Sequence, residues 1–308
     1  MPLSPSSSIP IPTVRMRLDR VVVALDLAPP SRAAAEWTAR HLAPDAELIL
    51  VHAIDVPEPP VFAGVSVEAH QQLLENAQRG AEVRIREFSV GLPAARIWPE
   101  IRVGPALDVV LSTAEAFGAS LIVVGPHGAH TGMSRMFGST ADRVVRLAHV
   151  PVLVARNLQP QQPRTLLVPL DDSALAPHVL AWANTIAERS GASIALLHVA
   201  NPLLAGAAVV ASAPPEADDA LTQLQLAALE WLEGHASRLR AAGRVVRTLV
   251  AFGDPATEIE AYAQREHADL VVLGRHGAGR LQRSLLGSTV DHVLRSGTAP
   301  TFVIPGTA

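Results

Sequence analysis

The chain repeats itself, and this repeat constrains its fold more than any other feature of the sequence. GPHGAHTGMSRMFGST at residues 125–140 and GRHGAGRLQRSLLGST at residues 274–289 both read G-x-x-G, nine residues, then G-S-T. The two segments are separated by a constant offset of 149 positions, from 274 − 125. Self-similarity of this kind along a chain of 308 residues indicates two tandem copies of one domain.

The earlier parts of the two copies also correspond. In each copy the first apolar run ends in Asp, a Trp follows in the next helical segment, and the second apolar run ends in His: Asp26, Trp37 and His52, then Asp171, Trp182 and His198. The apolar runs have no polar alternation, which is typical of strands that are buried on both faces of a sheet. We therefore predict an α/β fold in which each copy is a Rossmann-like domain, a parallel sheet with helices on both faces.

The same pattern places the individual strands. Each copy should contain five strands linked by four helices, with strands at 20–25, 47–53, 96–103, 120–125 and 151–155, then 165–170, 193–199, 245–251, 269–274 and 300–304. Trp37 and Trp182 lie on amphipathic helices and are predicted to be core residues. The long segments that begin at Glu68 and Ala217 are predicted to be surface helices whose charges form a solvated face.

Composition shifts set the predicted domain boundaries. Residues 1–19 are rich in Pro and Ser and lack the apolar region of a secretion signal, so we expect a disordered extension, no export and a cytoplasmic location. The first domain is predicted at 20–156, the linker at 157–163 and the second domain at 164–308. The apolar tract at 202–215 is too short for a membrane span and is predicted to be a loop.

Charge and residue usage exclude several classes of protein. A net charge of −4 gives no field that favours nucleic acid or an anionic membrane, so neither is expected as a partner. The sequence has no lysine, which excludes a P-loop lysine and a Schiff-base lysine. It has no cysteine either, which excludes a disulfide framework, a thiolate zinc site and a cysteine nucleophile.

The glycine motif predicts a site for an anion, most simply a phosphate group. It follows the fourth predicted strand, where the ligand-binding loops of open parallel sheets lie. Glycines let backbone N–H groups approach a ligand closely, and the G-S-T triplet precedes a helical pattern and so offers a helix N-terminus with two hydroxyl groups. The nine intervening residues would form a flap, with Arg135 or Arg283 adding positive charge.

With these motifs the chain resembles the universal stress proteins of the ATP-binding type, as a tandem of two domains, over residues 20–305. The resemblance implies the family's adenine nucleotide alpha hydrolase-like domain, with Asp26 and Asp171 near adenosine and the backbones of Ala53 and Val199 against adenine. It also implies a phosphate loop in each copy: Gly125, His127, Gly128, Gly138, Ser139 and Thr140, then Gly274, His276, Gly277, Gly287, Ser288 and Thr289. The implied ligand is ATP, with or without Mg²⁺, or ADP or AMP.

The resemblance further implies how domains associate. In this family the last strand often pairs two domains, so strands 151–155 and 300–304 would form an internal pseudo-dimer, and a homodimer of the chain is a further expectation. One departure from the repeat concerns the third loop, which reads GPALDVV in the first copy and GDPATEI in the second. The wall of the first site is therefore expected to differ from that of the second.

Simpler structural roles compete with these assignments. Asp26 and Asp171 could cap the following helices, and Asp171-Asp172-Ser173 has the composition of such a cap. His52 and His198 end apolar strands, where a core or strand-end histidine is commoner than a metal ligand, so no metal site is predicted. His127 and His130 lack a third ligand in sequence, and Gly279 replaces His130 in the second copy.

Three functions remain open on the sequence alone. The first is a regulatory protein that binds adenine nucleotides in two sites during stress, and it needs no catalytic residue. The second is a slow ATP hydrolase on the same scaffold, for which no positioned base or lysine stands out beyond Asp26 and Asp171. The third is a nucleotide-free interaction module, which the intact glycines and G-S-T triplets of both copies disfavour.

Overall fold

The computed structural model describes residues 16–55, 67–126, 137–200, 214–277 and 286–306. For Val67 and for residues 214–220 it describes the backbone alone. The chain divides into two compact units, Arg17–Pro160 and Gln161–Ala308. The candidate site residues His127, Gly128, Arg135 and Arg283 lie outside the described residues.

The first unit is an alternation of strands and helices. Its strands are β1 (Arg20–Ala24), β2 (Glu47–Ile54), β3 (Arg96–Val103), β4 (Leu121–Val124) and β5 (Val152–Val154). Its helices are α1 (Pro29–Trp37), α2 (Val67–Ser89), α3 (Ala106–Ala116) and α4 (Ser139–Leu147). All the strand pairings are parallel, in the order β3-β2-β1-β4-β5.

The second unit repeats this architecture. Its strands are β6 (Thr165–Pro169), β7 (Ser193–Ala200), β8 (Val246–Phe252), β9 (Leu270–Gly274) and β10 (Thr301–Ile304). Its helices are α5 (Ala176–Ser190), α6 (Pro214–Ala241), α7 (Pro255–Arg265) and α8 (Ser288–Ser296). The strands again pair in parallel, in the order β8-β7-β6-β9-β10.

The fold class and the strand assignments are confirmed. Every predicted strand is present, and each lies within one residue of its expected ends. The central strands β1, β4, β6 and β9 are almost wholly buried because helices cover both faces of each sheet, which explains why their sequences are continuously apolar. No helix in the described ranges is both long enough and apolar enough to cross a membrane.

The helices also follow the prediction, with one local exception. Trp37 and Trp182 are buried core residues, and Trp182 packs against Phe302 with the ring centroids 5.4 Å apart. The exposed face of α2 carries charged pairs one turn apart, such as Arg86 and Glu82 at 3.4 Å. The exception is that α1 continues into a single π-helical turn at Thr38–Leu42, which the sequence pattern did not predict.

Candidate functional site

In each unit the candidate residues gather at the carboxyl end of the sheet. In the first unit, β1 and β4 are neighbours at the point where the strand order reverses, and β2 lies on the other side of β1. Asp26 follows β1 and Gly125 follows β4, so these two residues flank the reversal point, which is where open parallel sheets bind ligands. In the second unit Asp171 follows β6 and Gly274 is the last residue of β9.

A hydrogen bond closes the base of each glycine loop. The N–H of Gly138 donates to the carbonyl of Pro126 at 2.8 Å, and the N–H of Gly287 donates to the carbonyl of Arg275 at 3.1 Å. In each unit this bond joins the residue after the first glycine of the motif to the glycine of the G-S-T triplet. We call this bond the loop clasp.

Close contacts explain the glycines of the second loop. A Cβ atom on Gly277 would lie 2.5 Å from the Asp171 Oδ2 atom, and one on Gly274 would lie 2.5 Å from the Leu175 Cδ2 atom. A Cβ on Gly287 would lie 3.3 Å from the Arg275 carbonyl oxygen. Separations under about 3.4 Å are tighter than ordinary van der Waals contact, so a side chain at any of these positions would displace its neighbour.

The Asp171 carboxylate consequently rests on the backbone of the glycine loop. Asp171 is not the cap residue of α5, because α5 begins at Ala176 and its cap residue is Leu175, whose side chain makes no cap bond. Asp26 accepts a hydrogen bond at 3.0 Å from the N–H of Ala28, the residue that precedes α1. This bond fixes the Asp26 carboxylate in the turn after β1 but does not cap the first helical turn.

The G-S-T triplets begin helices as predicted. Gly138 and Gly287 are the cap residues of α4 and α8, both extended with φ of −66° and −61°, and Ser and Thr occupy the first two helical positions. The first intrahelical bonds of α4 and α8 are donated by Asp142 and Asp291. The N–H groups that precede them have no acceptor within their own helix, so they can donate to an anion placed at the helix end.

His52 and His198 have a structural role at the strand ends. His52 Nδ1 lies 2.8 Å from the carbonyl oxygen of Leu25, and His198 Nδ1 lies 3.0 Å from that of Leu170. Because a carbonyl oxygen can only accept, Nδ1 carries the proton in both rings. Each histidine thereby ties β2 or β7 to the residue directly before the candidate aspartate, and Ala53 and Val199 follow these histidines at the same end of the sheet.

Of the two candidate histidines in the glycine loops, His276 lies within the described residues. Both of its ring nitrogens are shielded from solvent and have no hydrogen-bond partner among the described residues. Burial lowers the pKa of His276, and the positive charge of Arg275 lowers it further. Both effects favour the neutral ring, which can donate from one nitrogen and accept at the other.

The difference between the third loops has a structural explanation. Asp254 caps α7 by accepting from the N–H of Thr257 at 3.0 Å and from its hydroxyl at 2.9 Å, and these bonds hold the pKa of Asp254 below its ordinary value. At the corresponding place before α3 the cap residue is Pro105, with no side-chain cap bond. The acidic residue of the second copy thus has a partner in its own helix.

An aromatic cluster beside the second site was not predicted. Trp231 of α6 lies between two histidines, with ring centroids 5.3 Å from His198 and 4.9 Å from His235. The W-x-x-x-H spacing on a predicted helix was a visible signal, because residues four apart share one helix face. The contact of Trp231 with His198 joins residues that are far apart in the sequence, so no local sequence pattern predicts it.

The chain was compared with known proteins. A model of the Universal stress protein family matches residues 17–156 and 163–305. Universal stress protein A homolog 2 of Coxiella burnetii is 35% identical over 144 residues, which are 44% of this chain and 94% of that protein. A universal stress protein of Mycobacterium tuberculosis is 26% identical over 302 residues, which are 92% of this chain and 95% of that protein.

A solved structure shares the fold over nearly the whole chain. The crystal structure of a universal stress protein from Archaeoglobus fulgidus superposes with a TM-score of 0.64 at 21% identity, covering 94% of this chain and 97% of that one. At this identity the likeness concerns the fold alone. Because the family model matches both copies of the repeat, this chain belongs to the universal stress protein family, as a tandem member with two such domains.

Proposed function

We propose that the protein binds an adenine nucleotide, ATP or a close relative, at the carboxyl end of each sheet and that occupancy regulates a stress response. The best support for this proposal is the repeated glycine loop. In both units the loop clasp closes its base and the loop leads into a helix N-terminus. In the second unit Gly277 also lies against the Asp171 carboxylate. Backbone amides and helix N-termini suit phosphate groups, because they present N–H donors and a partial positive charge to an anion. No lysine is needed for such a site.

The described residues suit such a ligand. In the second unit the N–H groups at the start of α8, with the exposed Ser288 and half-buried Thr289 hydroxyls, would hold phosphate oxygens. Asp171 would accept from ribose hydroxyls, and the backbone beside Val199 would contact the base. The first unit offers the same set with Ser139, Thr140, Asp26 and Ala53, while His127 and Gly128 stay predictions. A bound Mg²⁺ would neutralise part of the charge of the phosphate groups.

Binding without a dedicated catalyst is the form of the proposal that we favour. Hydrolysis needs a base or an oriented water beside the last phosphate, together with groups that stabilise the developing charge. The only carboxylate placed against the described part of the second loop is Asp171, which we assign to the sugar. Slow hydrolysis is the alternative, and a nucleotide-free interaction module is the third candidate.

Analysis of the bound nucleotide tests the proposal directly. The full chain would be purified under native conditions, denatured, and the released small molecules identified by chromatography and mass spectrometry. We expect up to two adenine nucleotides per chain, one lost in Gly138→Val and the other in Gly287→Val. A chain that carries none, and binds neither ATP, ADP nor AMP in calorimetry, would refute the proposal. Rapid phosphate release that falls in each variant and vanishes when both glycines are replaced would instead favour the hydrolase.

Three associated expectations stay predictions with their own measurements. Internal pairing of the two domains through their last strands is tested by hydrogen exchange at the amides of those strands. A homodimer is tested by sedimentation of the purified chain at several concentrations. A cytoplasmic location is tested by cell fractionation.

A further inference from the structure

The aromatic cluster of the second unit adjoins the candidate site. His198 contacts the indole of Trp231 on one side of the ring, and its Nδ1 holds the carbonyl of Leu170 on the other. Leu170 is followed directly by Asp171, whose carboxylate rests against Gly277. A continuous series of contacts therefore runs from α6 through β7 to the glycine loop.

His235 is the buried titratable group at the far end of this series. It is 9% exposed, and its Nδ1 is shielded and has no hydrogen-bond partner among the residues described. Burial lowers the pKa of His235, the charge of Arg238 lowers it further, and Asp172 acts in the opposite direction. A proton added to this ring places a positive charge in the buried interface of α6 with the sheet.

The charged groups around His235 determine which way the structure responds. Arg238 lies on the same helix and repels an imidazolium, while Asp172, in the turn after β6, attracts it. His198 is the titratable residue of β7, and Arg247 of β8 pairs with Glu266 at 2.7 Å. The attraction therefore acts on the turn that contains both Asp172 and Asp171.

The first unit has a different residue at this position. Near their C-terminal ends α6 buries Leu232, Ala236 and Leu239, and α2 buries Ala81, Ile85 and Phe88 at the same spacing. Each helix is followed by a glycine with positive φ, Gly243 and Gly91. On this alignment Arg84 stands where His235 stands, so the first unit has no histidine there.

We propose that protonation of His235 weakens ligand binding at the second site, so that this site, but not the first, loses its nucleotide in mild acid. The inference rests on the proposed function and adds a regulation to one of its two sites. Protonation loosens α6 from β7 and draws Asp172 towards α6, and both changes disturb the turn that holds Asp171 against the glycine loop. Binding and protonation oppose each other by linkage, so the effect is reciprocal.

The test compares the two sites in one protein, because ATP itself titrates in this range and affects both sites alike. Gly138→Val removes the first site and keeps the second, and Gly287→Val does the reverse. Each full-length variant would be titrated with ATP by calorimetry at pH 7.5 and at pH 5.5. We expect the Kd of the second site to rise about fivefold or more beyond the rise at the first, the lower end of typical coupling between sites.

Substitution of the histidine completes the test. His235→Phe, which keeps an aromatic ring but cannot take up a proton, should bring the pH profile of the second site to that of the first, and His235→Gln should do the same if the Phe variant is unstable. His292→Phe, at an exposed position in the same unit, should leave the difference unchanged. Thermal unfolding at pH 7.5 confirms that each variant is folded.

The outcomes separate the two proposals. If neither site binds ATP at pH 7.5, the proposed function fails and this inference fails with it. If both sites bind but share one pH profile, or if the difference persists in His235→Phe and His235→Gln, only the inference is overturned. An emission change of Trp231 with pH, present without nucleotide and smaller in His235→Phe, is expected as well, because a protonated imidazole quenches an indole in contact.

Discussion

Replacing Gly277 by Ala perturbs the second site through one atom. The added Cβ would lie 2.5 Å from Asp171 Oδ2, and because ordinary contact begins at 3.4 Å the carboxylate must move by about 0.9 Å. Asp171 is half-buried on a short side chain, so folding should lose only about 0.5–1.5 kcal/mol, the range for an off-rotamer side chain. A displaced charged hydrogen bond to the ligand is worth about 1.5–3 kcal/mol, or roughly 10- to 150-fold in Kd.

The assay is a double-mutant cycle measured by calorimetry with ATP in the Gly138→Val background. Gly277→Ala should weaken binding by that factor in the presence of Asp171, and should have little further effect once Asp171→Ala has removed the carboxylate. Gly234→Ala, at a helical position with nothing within 4 Å of the new Cβ, is the control and should leave Kd unchanged. An equal loss with and without the Asp171 side chain would refute the reasoning, since the effect would then not act through that carboxylate.

Further predictions concern stability and are each measured by chemical denaturation. Gly80→Ala and Gly234→Ala should each stabilise the protein by about 0.5–1 kcal/mol, because both are exposed helical positions with space for a methyl group. Asp254→Ala should destabilise by about 1 kcal/mol at pH 7 by removing the cap bonds to Thr257. Because the pKa of Asp254 is lowered in the folded state, that difference should persist down to about pH 4, the ordinary value, and shrink below it. Phe302→Ala should destabilise the second unit by about 3–5 kcal/mol, since its ring is fully buried.

The strands could be read from the sequence because burial on both faces leaves a simple signature. Runs such as Val21–Val23 and Leu121–Val124 are fully apolar, and no competing helical period overlaps them. The glycine motif likewise fixed where the loops leave the sheet, because its position relative to a strand and a helix is local information. The G-S-T triplets were therefore assigned correctly to helix N-termini.

What the sequence left open depends on contacts between distant residues. For Asp171 the sequence left a helix cap open beside the predicted place in the site, because the contact of its carboxylate with Gly277 joins residues more than 100 positions apart. Asp254, which distinguished the third loops, proved to be the residue with the cap bond. The contact of His198 with Trp231 depends on how α6 packs across β7, which periodicity does not determine.

The loop clasp separates the scaffold from the segment that it encloses. The amide of Gly138 and the carbonyl of Pro126 fix both ends of that segment, so a change in its length need not alter the sheet. Each doubling of the length adds only about 0.6 kcal/mol to the entropic cost of closing the loop. Insertions at this position should therefore leave the core of the domain unaltered. The same property recommends this position for grafting a foreign peptide, and the second unit provides an independent copy of the attachment point.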